Sequence, residues 1–273
     1  MPNLSQLGWC WEGQGLDPGV YPSVFGVGEG ADFFGVRNVH FLFHPNTDLA
    51  LGKLKRFDKV VCDISKWRFV NCGPDDQGSR CINDSTLEDV CKEAENLSRL
   101  SLAYHNVTGG YFDDMQGLME KRGHSAEHCD AIKKALTRHN PRLILECVVY
   151  AHELANREFW TPLARYIDVV SFWVWEYRQL ASLEDHLARC RDLFPGKPIV
   201  MGCYMRDYPS RAPIPMEALR HQWETMARAI EDGRIQGFDI LAAVLIDGHQ
   251  EQANWIRDFI RVHSGTERNS DAR

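Results

Sequence analysis

Residues 142–150 read RLILECVVY, and residues 168–175 read DVVSFWVW. Neither run alternates apolar with polar positions, as a strand with one wet face does. Runs of this kind, about four to nine residues long, suit strands buried on both faces, the habit of a parallel sheet. The same signal recurs in LGWCW (7–11), VHFLF (39–43), KVVCDI (59–64), VTGGYF (107–112), KPIVMGCY (197–204) and FDILAAVLI (238–246). Between these runs, apolar residues recur three and four apart. Leu87, Val90, Cys91, Ala94, Leu97 and Leu100 form one face of a helix over 85–102, with Asp84, Ser85 or Thr86 available as its N-cap. The spacing predicts further helices at 124–139 (ended by Asn140-Pro141), 153–166, 182–194, 215–232 and 248–262, and shorter ones at 28–36 and 49–57. Strands alternating with helices are α/β architecture, and eight such units predict a single-domain (β/α)8 TIM barrel over 1–263. The polar tail 264–273 is expected to be disordered. A doubly wound sheet fits less well: WEGQGLDPG after the first strand lacks a full GxGxxG and sets Pro18 where a helix should open.

The composition narrows the function. Of 273 residues, 44% are hydrophobic and 25% charged, the mixture of a folded chain and not a disordered one. Lys+Arg number 31 against 38 Asp+Glu, a net charge of −7 with no basic stripe, so nucleic acid is not an expected partner. No apolar run approaches the roughly 18 residues that span a bilayer, so no membrane is expected either. The opening MPNLSQLGWCWEGQGL has neither a basic n-region nor an apolar h-region, and the expected location is cytoplasmic. Nine cysteines, an odd number with no CxxC, suit a reducing compartment. Cys62, Cys147 and Cys203 read as small buried hydrophobes, with Cys10 less clear-cut between two tryptophans.

Barrel active sites form where the strands end. The residues closing the runs are Trp9, Trp11 and Glu12; His44 and Asn46; Asp63 and, just beyond, Lys66 and Trp67; Asp113 and Asp114; Tyr150, His152 and Glu153; Trp173, Trp175 and Glu176; Tyr204, Arg206 and Asp207; and Asp247 with His249. Nearly every strand thus brings a carboxylate to one rim. Asp247 and Asp207 also read as helix caps, and Glu153 as an acidic residue opening a helix. Neighbouring strand residues face opposite ways, so one of Asp113 and Asp114 can point into the mouth while the other caps. Glu146, in mid-strand, is either an internal carboxylate with a partner or a residue facing the helices. Trp9, Trp11, Trp67, Trp173 and Trp175, five of the eight tryptophans, fall at strand ends. An aromatic platform beside carboxylates suits a sugar ring, with apolar faces to stack on and polar groups for hydroxyls. Paired carboxyls supply glycoside cleavage when one is protonated and the other ionised.

With VTGGYFDDM at strand 4 and FWVWE at strand 6, the chain resembles the TIM-barrel glycoside hydrolases, and NLSRLSLAYHNVTGGYFDDM resembles bacterial glycosidase-like barrel proteins. The resemblance implies a catalytic carboxylate at the end of strand 4, here Asp113 or Asp114, with Asp114 the first choice. It implies a partner from strand 6 or 7, here Glu176 or, in reserve, Asp207. Trp9, Trp11, Glu12, His44, Trp67, His152, Glu153, Trp173, Trp175, Tyr204 and Arg206 are the expected substrate contacts. The pattern departs from the chitinase DxxDxDxE and from an Asn-Glu pair closing strand 4. Three other readings compete. A sugar isomerase or epimerase would use Glu153, Glu176, Asp207 and rim histidines on a divalent metal, although neither HxH after strand 1 nor HExxH occurs. A Schiff-base aldolase lacks a lysine inside a strand. A non-catalytic carbohydrate-binding barrel would use the same tryptophans. The expectation is a glycoside hydrolase without a cofactor, acting on a carbohydrate or small glycoside.

Overall fold

All eight apolar runs become parallel strands that close on themselves. The structure, a computed structural model, describes residues 2–13, 20–65, 69–71, 79–81 and 85–265. Strands β1 (Gly8–Trp11), β2 (Asn38–Phe41), β3 (Lys59–Asp63), β4 (Val107–Phe112), β5 (Ile144–Tyr150), β6 (Val169–Trp173), β7 (Ile199–Tyr204) and β8 (Gly237–Leu241) pair in chain order. β8 returns to β1, from Gly8 opposite Phe238 to Trp11 opposite Leu241. Parallel neighbours need long crossovers, and helices provide them. The result is the single-domain (β/α)8 barrel that the sequence predicts. Lys66, Trp67, Pro18 and the tail from residue 266 lie outside the described residues.

The helices follow local signals. Thr86 is the N-cap of Leu87–Leu100: its hydroxyl accepts from Asp89 N–H at 3.2 Å, and Asp89 Oδ2 accepts from Thr86 N–H at 3.1 Å. Three departures bear on the site. A helix, Met115–Arg122, follows β4 at once, before the expected one at Ala126–Thr137. The expected helix 153–166 divides into a 3₁₀ turn, Ala151–Ala155, and Arg157–Leu163, because Asn156 caps a new start by accepting from Phe159 N–H. The last apolar run is a strand only to Leu241; its remainder turns through a 3₁₀ segment, Ala243–Leu245.

The barrel interior is polar at one level. His40 on β2 is fully buried, with Nδ1 2.6 Å from Asp239 Oδ2 and Nε2 3.3 Å from Glu146 Oε1. Its ring stacks on Trp9 at 4.5 Å and lies 4.6 Å from Tyr111. Burial alone pushes the imidazolium down; Asp239 and then Glu146 outweigh it and lift His40 to about 10. Glu146 is therefore an internal carboxylate with a partner. Tyr111 donates its hydroxyl to Ser171 Oγ at 2.6 Å, and the Trp173 indole donates to the same oxygen at 3.0 Å. A Cβ on Gly202 would sit 2.0 Å from the Trp173 ring, so only glycine leaves that indole room. Cys10, Cys62, Cys147 and Cys203 are buried and free. Among the described residues, no helix is long and apolar enough to cross a membrane.

Candidate active site

The carboxyl ends of the strands enclose a cavity of about 650 Å³. Trp11, Phe43, Tyr150, Tyr204 and Leu241 come from or just follow five strands; Asp113, Asp114, His152, Glu153, Trp175, Glu176, Gln179 and Tyr208 come from the loops and short helices beyond.

The two aspartates do not divide as strand parity suggests, because β4 ends at Phe112. Asp114 takes the left-handed conformation (φ 46°, ψ 44°), which Asp tolerates better than most residues. Its carboxylate makes no capping bond to the helix it precedes, and Oδ1 accepts from the Tyr150 hydroxyl at 2.9 Å. Both Asp113 and Asp114 thus line the cavity. Asp113 is held from below. Its N–H donates to Ser65 Oγ at 3.0 Å, and that hydroxyl donates to Asp63 Oδ1 at 3.1 Å. Asp63 Oδ2 also accepts from the N–H of Phe43, a second left-handed residue (φ 64°) on the cavity wall. Asp63 therefore shapes two sides of the cavity without lining it.

Tyr150 joins the two halves of the site. Its hydroxyl binds Asp114, and its N–H donates to Glu153 Oε2 at 2.9 Å. Burial raises the Glu153 carboxyl, the Tyr150 N–H opposes that rise, and the charges of Asp114, Glu120 and Asp113 add to it; Glu153 reaches about 7. A carboxyl half-protonated near neutrality thus lines the same cavity as two aspartates. Burial also pushes the Tyr150 and Tyr204 phenols well up, which keeps them as neutral donors.

The tryptophans separate into two groups. Trp11 and Trp175 line the cavity. Trp175 is 37% exposed and stacks on Tyr208 at 5.1 Å, forming an accessible aromatic wall. Trp9 and Trp173 are barrel filling: one packs on His40 and the other crosses the interior edge-on to Trp11 at 5.1 Å. Neither offers a sugar a free face.

The remaining candidates lie around this centre. Glu176 is exposed and lines the cavity as well as an adjoining one of about 310 Å³, which Tyr177, Arg178, Asp207, Pro209 and Ser210 complete. Asp207 is buried; its oxygens accept from Tyr177 N–H at 3.1 Å and Ser210 N–H at 3.0 Å, tying the β6 and β7 loops together. Arg206 is buried, with its guanidinium 5.9 Å from the Tyr208 ring. Glu12 and His44 pair at 3.2 Å outside the cavity lining, and that bond, against burial, raises His44. His152 is exposed on the wall and stacks on Tyr150 at 5.4 Å. Asp247 is not a helix cap; Oδ2 accepts from Ser23 Oγ at 2.5 Å and Val24 N–H at 3.1 Å, holding the loop after β1. Phe43, Gln179 and Tyr208 are lining residues outside the sequence-based set, because they follow the strands by a loop or a turn. Among the described residues, no group of three or more His, Cys, Asp or Glu side chains is arranged to hold a metal ion.

No protein-family model matches the chain. No curated protein sequence matches it either. Solved structures do. A β-D-glucuronidase from Dictyoglomus thermophilum aligns over 94% of this chain and 50% of its own, at 12% identity and TM-score 0.54. A β-glucuronidase from Bacteroides uniformis aligns over 79% of this chain and 28% of its own, at 14% identity and TM-score 0.51. The chain therefore spans half or less of these two. A family 18 chitinase from Crocus vernus aligns over 93% of this chain and all of its own, at 10% identity and TM-score 0.53. At such identities the likeness is one of fold, and in fold this chain resembles the TIM-barrel glycoside hydrolases.

Proposed function

We propose that the chain is a glycoside hydrolase in which Glu153 is the proton donor and Asp114, with Asp113 beside it, is the ionised partner. The observation that carries this reading is the Glu153 carboxyl, raised to about 7 in the cavity that Asp113 and Asp114 line. Glycoside cleavage needs this division between two carboxyls: one must still hold a proton at working pH, and the other must have lost it. Glu153 gives its proton to the glycosidic oxygen as the bond to the anomeric carbon breaks. The positive charge developing on the sugar then meets the ionised aspartates. Water then bonds to the anomeric carbon and gives up a proton, which restores the Glu153 carboxyl, leaving a free sugar and an alcohol. Tyr150 keeps Asp114 and Glu153 in register through one hydroxyl and one N–H. Trp175 and Tyr208 give the sugar an apolar face to stack on, and Glu176 on the exposed rim suits contact beyond the cleaved bond. Glu153 thus takes the acid role, and Glu176, the partner expected from the sequence, becomes a contact residue.

The test is turnover of a panel of aryl glycosides by wild type, Glu153→Gln and Asp114→Asn. Loss of a positioned acid or base costs about 10²–10⁴-fold in rate. Each variant should fall by that much while melting with wild type. Unchanged turnover in Glu153→Gln would remove it from the chemistry. A wild type that binds sugars without turning any over would favour a non-catalytic carbohydrate-binding barrel.

A further inference from the structure

We propose that the cavity selects a glycone with neutral or cationic substituents and rejects one that carries a carboxylate, so that amino sugars and plain hexoses are taken and uronic acids are not. This deepens the glycoside-hydrolase reading and rests on it. The argument is one of charge on a small lining. Asp113, Asp114, Glu153 and Glu176 all face the same cavity of about 650 Å³, and its described lining includes neither lysine nor arginine. The other polar groups there are the phenols of Tyr150, Tyr204 and Tyr208, the Gln179 amide and the Trp11 and Trp175 indoles, which hydrogen-bond a hydroxyl or an amine without adding positive charge, and the exposed His152 is the one lining side chain that can carry it. Of the nearby arginines, Arg206 is buried outside the described lining with its guanidinium 5.9 Å from the Tyr208 ring, and Arg178 lines the adjoining cavity. The field has a visible consequence inside the site, because the charges of Asp114, Glu120 and Asp113 raise the Glu153 carboxyl on top of what burial does. A sugar carboxylate entering that field would be repelled as Glu153 is, whereas a protonated amine would be attracted.

The experiment uses the whole chain and 4-nitrophenyl glycosides in gluco, galacto and manno configurations. Each is supplied as the plain hexoside, the 2-amino-2-deoxy hexoside and the uronide. Binding is measured by calorimetry and turnover by nitrophenol release, at low and high salt. Within the configuration that binds best, the amino glycoside should bind at least as tightly as the hexoside, and the uronide at least tenfold more weakly. The gap should narrow in high salt, since exposed charges are screened, and in Glu176→Gln, which removes one of the four lining carboxylates. A uronide that binds or turns over as well as its hexoside overturns the charge selection and leaves the hydrolase reading standing. Binding by none of the nine compounds overturns both.

Discussion

Two levels of one barrel hold carboxylates in opposite ways. In the interior, Glu146 and Asp239 flank a single imidazole, His40, which they keep charged, with Trp9 stacked against it. In the cavity beyond, which Trp11 links to that level by its edge contact with His40, the carboxylates are neighbours of one another. Opposite charge fixes the first group and leaves it no chemistry to do. Burial, and then like charge, raise the Glu153 carboxyl among them, which suits it to the acid role proposed above. The same residue types are thus structural at one level and, on the proposed reading, reactive at the next, according to what faces them.

The largest effect should follow from breaking the interior level. His40→Leu leaves two buried carboxylates without their cation, which costs about 3–5 kcal/mol. Denaturant unfolding should show that loss, and a variant as stable as wild type would mean that the cluster contributes nothing. The same group sets a pH limb. His40 goes from 6.5 unfolded to about 10 folded, so its contribution is full below about pH 6.5 and is lost as pH rises through about 10. Melting curves across pH 7–11 should fall accordingly, and His40→Leu should flatten that limb.

The aromatic residues sharpen the contrast. Trp173→Ala, in the sealed interior, should cost about 3–5 kcal/mol in stability. Trp175→Ala should cost much less stability than that and raise KM several-fold, because its ring is partly exposed on the cavity wall. A Trp173 variant that kept its stability and lost only sugar affinity would reverse the assignment. Between these lies Tyr150→Phe. It removes one hydrogen bond to the Asp114 carboxylate, worth about 1.5–3 kcal/mol, and should slow turnover by about ten- to a hundredfold while the backbone bond to Glu153 survives. The smallest effect expected is that of chelator. The proposed two-carboxylate chemistry asks for no metal, so EDTA should shift neither melting nor turnover. A stoichiometric divalent ion whose removal did both would revive the isomerase or epimerase reading.

The barrel was legible because its signals are local and repeated. Eight apolar runs and the helical spacing between them survive any uncertainty about single residues. The site was less legible because strand parity stops where strands stop. Asp114 takes a left-handed turn two residues beyond that point and brings both aspartates to the same cavity. Glu153 reads as an ordinary acidic residue opening a helix until a 3₁₀ turn puts it on Tyr150 N–H, half-buried beside two charges. Trp173 and Trp175 are two residues apart, yet β6 ends at the first, so one is sealed over Gly202 and the other reaches the rim. No pattern in one sequence pairs His40 with partners on β5 and β8, because that contact exists only once the barrel has closed.

The most direct measurement is the proton affinity of Glu153 itself. Carboxyl-¹³C NMR of glutamate-labelled protein, with Glu153→Gln to assign the signal, needs no substrate. A midpoint near 7 that moves down in Asp114→Asn is the predicted result. A midpoint at the ordinary value of 4.5, indifferent to Asp114, would contradict the acid role and with it the division of labour between Glu153 and the aspartates.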